Sequence, residues 1–204
     1  MFGKKQHKAE TEDKVTLRDY LTMFDLCSKE IQEEYISILA RQPRPERLCG
    51  EIVPMTLNHL TYGQLDDLHT LATSKERNPE HRMCEIIFGK FLSLMDEDVN
   101  KVYGFLNFCG SEIKRINDLF SSIKTDYSQE EIAAGVKELS FGSFGVLDWY
   151  AKRMGITNQN DVRDVAWVRI YTCMKNDNAQ QAYERKLQEV YMHKSHSRPR
   201  SKHK

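Results

Sequence analysis

Asp66, Asp67 and His69 stand within four residues of one another, and carboxylates beside an imidazole can serve a metal site or an acid–base pair. On a helix only residues three or four apart share a face, so Asp66 and His69 align while Asp67 does not. Two ligands on one face do not make a metal centre. Asp96, Glu97 and Asp98 form a second acidic cluster, but it lacks the alternating oxygen ligands and the glycine of a calcium loop. It reads instead as the acidic opening of a helix, stabilised by the helix dipole. His59 and His81 have no partner at catalytic spacing. The chain contains no G-x-S-x-G, no glycine-rich phosphate loop and no H-E-x-x-H. The expectation is a protein that is not an enzyme and uses no cofactor and no metal, although residues distant in sequence can still meet in a fold.

Cys27, Cys49, Cys84, Cys109 and Cys173 are odd in number and widely spaced, with no C-x-x-C pair. A disulfide scaffold uses an even, dense set, and a zinc site draws two ligands from one tight turn. Free thiols in a reducing cytoplasm are the expected state. The first fourteen residues carry charges but no apolar h-region, and no run approaches the eighteen apolar residues of a membrane span. Lys plus Arg equals Asp plus Glu at 30 each, so the chain as a whole has no field to steer it onto nucleic acid or an anionic membrane. One local exception is the stretch 193–204, HKSHSRPRSKHK, with five Lys or Arg and no acid. Lys194, Arg198, Arg200, Lys202 and Lys204 can neutralise phosphates in a salt-sensitive, sequence-blind way. The competing reading is a solubilising disordered tail.

The elements follow from periodicity. Thr16 with Asp19 caps a helix expected from about residue 16 to 41, carrying Leu17, Tyr20, Leu21, Phe24, Ile31, Tyr35, Ile38 and Leu39 on one face. Pro43, Pro45 and Pro54 then mark a linker over 42–56, with at most a short strand near Glu51 to Val53, so the first helix is expected to be hinged. Thr61-x-x-Gln64 opens a helix through Leu71. Asn78-Pro79 opens one bearing Met83, Ile87, Phe91 and Leu94. Asp98 begins a short helix ending before Gly110, and Ser111 caps another through Ile123. Ser128-x-x-Glu131 opens a short helix before Gly135, and Ser140 opens one that Gly155 stops. The last two are expected at about 164–175 and from Asn176 to Val190. The fold class is all-α, an irregular multi-helix bundle of about eight or nine short-to-medium helices. It divides into an arm over 1–14, the N-terminal helix over 15–41, the linker, a helical domain over 57–192 and a basic tail over 193–204, both arms being disordered.

Two helix openings echo each other: Leu60-Thr61-Tyr62-Gly63 and Leu139-Ser140-Phe141-Gly142 share leucine, hydroxyl cap, aromatic and glycine. They are either convergent caps or a duplicated unit, at a separation too long for a solenoid. Trp149, Trp167 and Tyr171 are the candidate anchors of the C-terminal half, packed by default and partner-binding on the alternative reading. Met23, Met83, Met95, Met154 and Met174 fall near core stripes and are read mainly as packing.

The stretches VPMTLNHLTYGQLDDL, KELSFGSFGVLDWYAKRMGI and WVRIYTCMKNDNAQQAYERKLQEVY resemble the tail assembly chaperones of long-tailed bacteriophages, over roughly residues 52–192. The resemblance implies a helical, non-catalytic protein of the bacterial host cytoplasm. It would bind the tape-measure protein, keep it soluble during tail assembly, and often self-associate. The first helix and the basic tail have no counterpart in that family, and no site residue carries over. The alternative is a virion structural or nucleic-acid-associated protein acting through the basic tail.

Overall fold

The computed structural model describes residues 14–76, 78–123 and 127–196. Among them are eight α-helices, two 3-10 helices and one two-stranded ladder, so the chain is all-α. It divides into two compact units, one of Met1–Leu57 with Ser74–Glu112 and the other of Asn58–Thr73 with Ile113–Lys204. The stretch read as a single domain over 57–192 is thus shared, with 74–112 grouped with the N-terminal helices.

In the first unit, α1 (Leu17–Phe24) opens on a capping box: Thr16 Oγ1 accepts the Asp19 N–H at 3.1 Å, and the Asp19 carboxylate accepts the Thr16 N–H. The expected long helix stops early. Ser28, in extended backbone, starts α2 (Lys29–Leu39), and the Gln32 amide donates to the Phe24 carbonyl at 2.7 Å, satisfying the C-terminus of α1. This break turns α2 back so that Tyr35 meets Tyr20. Nor is the pair of helices loosely attached. Leu17 and Arg18 donate backbone N–H groups to the carbonyls of Glu97 and Met95, and Val99 donates to Val15.

The proline-containing stretch is likewise packed. Asn107 donates its amide to the carbonyls of Leu39 and Gln42, and Arg44 donates to Val53. Leu48, Val53 and Leu57 are buried. Strands β1 (Arg47–Leu48) and β2 (Glu51–Ile52) pair antiparallel around Cys49 and Gly50, both at positive φ, the two-residue turn that matches strand twist. Helix α4 (Pro79–Phe88) starts with proline at its first position and is ended by Gly89 at φ 70°, earlier than the apolar stripe indicated. Phe91 therefore lies beyond it, stacked on His81. Helix α5 (Val99–Ser121) replaces two expected helices; Gly110 lies exposed within it while Phe105, Cys109, Glu112 and Ile116 are buried on either side. Packing of those residues outweighs the cost of about 1 kcal/mol for a mid-helix glycine.

The second unit is built on α3 (Tyr62–Thr73), the C-terminal part of α5, the short α6 (Gln129–Ala133), α7 (Gly142–Met154) and α8 (Trp167–His196). The Thr61–Gln64 box forms as expected, and Thr61 pairs with Ala166 through Tyr62 N–H to Val165 O and Trp167 N–H to Leu60 O. The Ser128–Glu131 box also forms, and Gly135 at φ 84° follows α6. Gly155 at φ 67° ends α7. A 3-10 helix over Gln159–Asp164 leads into α8, which continues through Asn176 to Asn178 without a break. The expected arms over 1–13 and 197–204 lie outside the described residues, whereas 193–196 are the last turn of α8.

Candidate functional site

The acid–imidazole group of α3 is answered by an arginine. Arg163 donates to Asp66 Oδ2 at 3.0 Å, to Asp67 Oδ1 at 2.6 Å and to the Gly63 carbonyl at 3.3 Å. A Cβ on Gly63 would stand 2.9 Å from Arg163 Cβ, so the glycine is what lets the arginine lie against the helix. Burial, then the Asp66 charge, pushes the Tyr62 phenol up to about 12, so it is neutral at physiological pH. A cleft of about 410 Å³ opens beside these groups, walled by Tyr62, Leu65, Phe120 and Val146 and edged by His69, Asn117 and Ser143. His69 Nε2 is buried with no hydrogen-bond partner among the described residues. No bond links it to Ser143, so the two do not form a nucleophile–base pair.

Asp96, Glu97 and Asp98 are divided among structural tasks. Asp96 pairs with Arg18 at 3.1 Å, and Asp98 accepts the Asn100 N–H at the start of α5. Glu97 accepts the N–H groups of Cys49 and Asp98 and pairs with Lys101. Among the described residues no group of three His, Cys, Asp or Glu is placed to hold a metal ion. All five cysteines are free thiols. Burial raises Cys84 to about 12 and raises Cys109 further, which leaves both protonated and unreactive.

The anchors read from sequence separate. Trp167 is 1% exposed, with Phe120 and Tyr171 against it and the Arg115 guanidinium 5.9 Å from its ring. It is a core residue, out of a partner's reach unless the unit opens. Trp149 and Tyr171 are half-buried. Lys194 is exposed on the last turn of α8, and Arg198, Arg200, Lys202 and Lys204 lie outside the described residues. Met83, Met95 and Met174 are half-buried, in keeping with packing, while Met23 and Met154 are exposed.

Large apolar side chains are exposed in both units, Phe144 and the α2 residues among them although their spacing placed them on inward stripes. In the second unit Leu139, Phe141 and Phe144 are 64%, 70% and 59% exposed. Here the echo with the α3 opening fails. Ser140 caps nothing, because α7 starts at Gly142, whose φ of 55° and open surroundings contrast with the tightly packed Gly63. Leu60 is buried, whereas Leu139 is not. In the first unit Leu26 is 83% exposed, and Ile31, Tyr35 and Ile38 lie half-open along one stripe of α2. Among the described residues no helix is long and apolar enough to cross a membrane. Comparison of the chain with protein-family models, with curated proteins and with solved structures returns no match.

Proposed function

We propose that this chain is a non-catalytic assembly factor that holds an amphipathic helical client, in the manner of a phage tail assembly chaperone holding its tape-measure protein in the host cytoplasm. The observation that carries this reading is the cluster of Leu139, Phe141 and Phe144, three large apolar side chains within six residues, all turned outward at the entry to α7. Single exposed apolar residues are ordinary on protein surfaces, whereas a cluster marks a contact surface. An apolar helix face laid against such a cluster is a recurrent recognition mode. The cluster also lies within the stretch KELSFGSFGVLDWYAKRMGI, on which the resemblance to tail assembly chaperones rests.

Co-expression with a candidate client, a long helix-rich tape-measure protein, tests the reading. The client is expected in the soluble fraction with this chain and in the pellet without it. The double change Phe141→Asp and Phe144→Asp should return it to the pellet while leaving the chaperone folded by circular dichroism. A client that stays insoluble beside the unaltered chain, with no complex recovered, refutes the proposal.

A further inference from the structure

Helix α2 and the tail beyond Met192, both outside the stretch that carries the family resemblance, have opposite charge. Helix α2 presents Ile31, Tyr35 and Ile38 on one exposed stripe, and Glu30 and Glu34, four residues apart, run along its edge. Neither glutamate is engaged in an ion pair among the described residues. At the other end of the chain, α8 exposes Tyr183, Val190 and Tyr191, and the sequence beyond Glu189 holds five Lys or Arg and no acid. Both surfaces carry an exposed apolar stripe, and the charges beside the two stripes are of opposite sign.

We propose that the C-terminal segment of one copy, from Tyr183 onward, docks on the α2 face of a second copy. Pairing two α2 faces with each other would set Glu30 and Glu34 against their own counterparts, a like-charge arrangement that disfavours the symmetric dimer. Joining unlike surfaces of identical chains is heterologous, so association closes into a ring or continues as an open chain. A face formed by the short α2 and only the C-terminal turns of α8 falls at the low end of stable interfaces, and its charges are exposed, so the association is weak and salt-sensitive. This inference concerns surfaces apart from the Phe141 cluster and stands or falls separately from the client-binding role.

Sedimentation of the full chain over about 5 to 300 μM, in about 50 mM and about 500 mM salt, tests it. The average mass is expected to rise with concentration at low salt and to stay near the monomer at high salt. Stopping the chain after His196, or making the paired change Glu30→Lys and Glu34→Lys, should each weaken association by about tenfold or more. Glu30→Gln with Glu34→Gln is a milder variant should the reversal disturb α2, with a smaller loss in the same direction. Combining Glu30→Lys and Glu34→Lys with Arg198→Glu, Arg200→Glu and Lys202→Glu should restore association. A chain that is monomeric throughout, or whose association ignores both alterations, overturns the proposal. So does retention of the tail on a fluorescent DNA duplex at low salt without any change in mass. Because Phe141 and Phe144 are untouched in these variants, client solubility should persist in all of them, which separates failure here from failure of the client-binding role.

Discussion

Tyr20 and Tyr35 stand edge to face with ring centroids 6.3 Å apart, although fifteen residues separate them. In one unbroken helix they would lie about 22 Å apart along the axis. The turn at Asp25–Ser28 is therefore what completes the aromatic cluster, in which Tyr20 also meets Phe24 at 5.1 Å and Tyr103 at 5.7 Å. Tyr20→Ala should remove the keystone of that cluster and cost about 3 kcal/mol or more in urea denaturation. Tyr20→Phe, which keeps the ring and loses only its hydroxyl, should cost about 1 kcal/mol.

Gly104 faces the Pro43 carbonyl so closely that a Cβ there would overlap the oxygen. Pro43 cannot retreat freely, because Asn107 on the next turn of α5 holds the carbonyls of Leu39 and Gln42. Gly104→Ala should therefore destabilise the chain by about 2 kcal/mol, despite the higher helix propensity of alanine. Gly110→Ala, at an open position of the same helix, should stabilise by about 0.5 to 1 kcal/mol. Thermal melts of the two variants should shift in opposite directions.

Glu97 links acid stability to the β1–β2 turn. Burial alone would raise its pKa, but the N–H groups of Cys49 and Asp98 and the Lys101 ammonium outweigh burial and hold the carboxyl below its ordinary value. A carboxyl whose pKa is lower folded than unfolded stabilises the fold above the unfolded value. That contribution declines as the pH falls through the ordinary carboxylate range and is gone below the folded pKa. Glu97→Gln should lower stability at pH 7 and flatten the fall in stability below about pH 4.5. Denaturation series at pH 7, 5 and 3.5 read both effects. A variant that loses stability with acid as steeply as the parent would remove Glu97 from this role.

What could be read along the chain was set locally. The boxes at Thr16–Asp19, Thr61–Gln64 and Ser128–Glu131 each close within three residues, and all three form. The break before Ser28 depends on Gln32 reaching Phe24. The passage of α5 through Gly110 and of α8 through Asn176 depends on neighbours that a periodic pattern does not name. The surface was hardest to read, because an apolar stripe has the same spacing whether it is covered or bare. Trp167 and Phe144 both fit such a stripe, yet one is sealed and the other open. At Phe144 the clue lay in Gly142, where a glycine at positive φ supplants the hydroxyl cap that Ser140 promised.

Arg163 is the clamp of the second unit, its guanidinium shared between Asp66, Asp67 and the Gly63 carbonyl. A lysine cannot reproduce that fork, so Arg163→Lys should recover little of what Arg163→Met loses. The pairs are partly exposed, with about a third of the Arg163 side chain open to solvent, which limits the loss to about 1 to 2 kcal/mol. The informative variant is Asp66→Asn with Asp67→Asn. In the parent background it should destabilise, whereas beside Arg163→Met it should cost little, because the carboxylates would then have no cation to answer. A double-mutant cycle by urea denaturation measures this coupling. Additive losses would mean that the arginine acts through its packing on Gly63 and not through its charge.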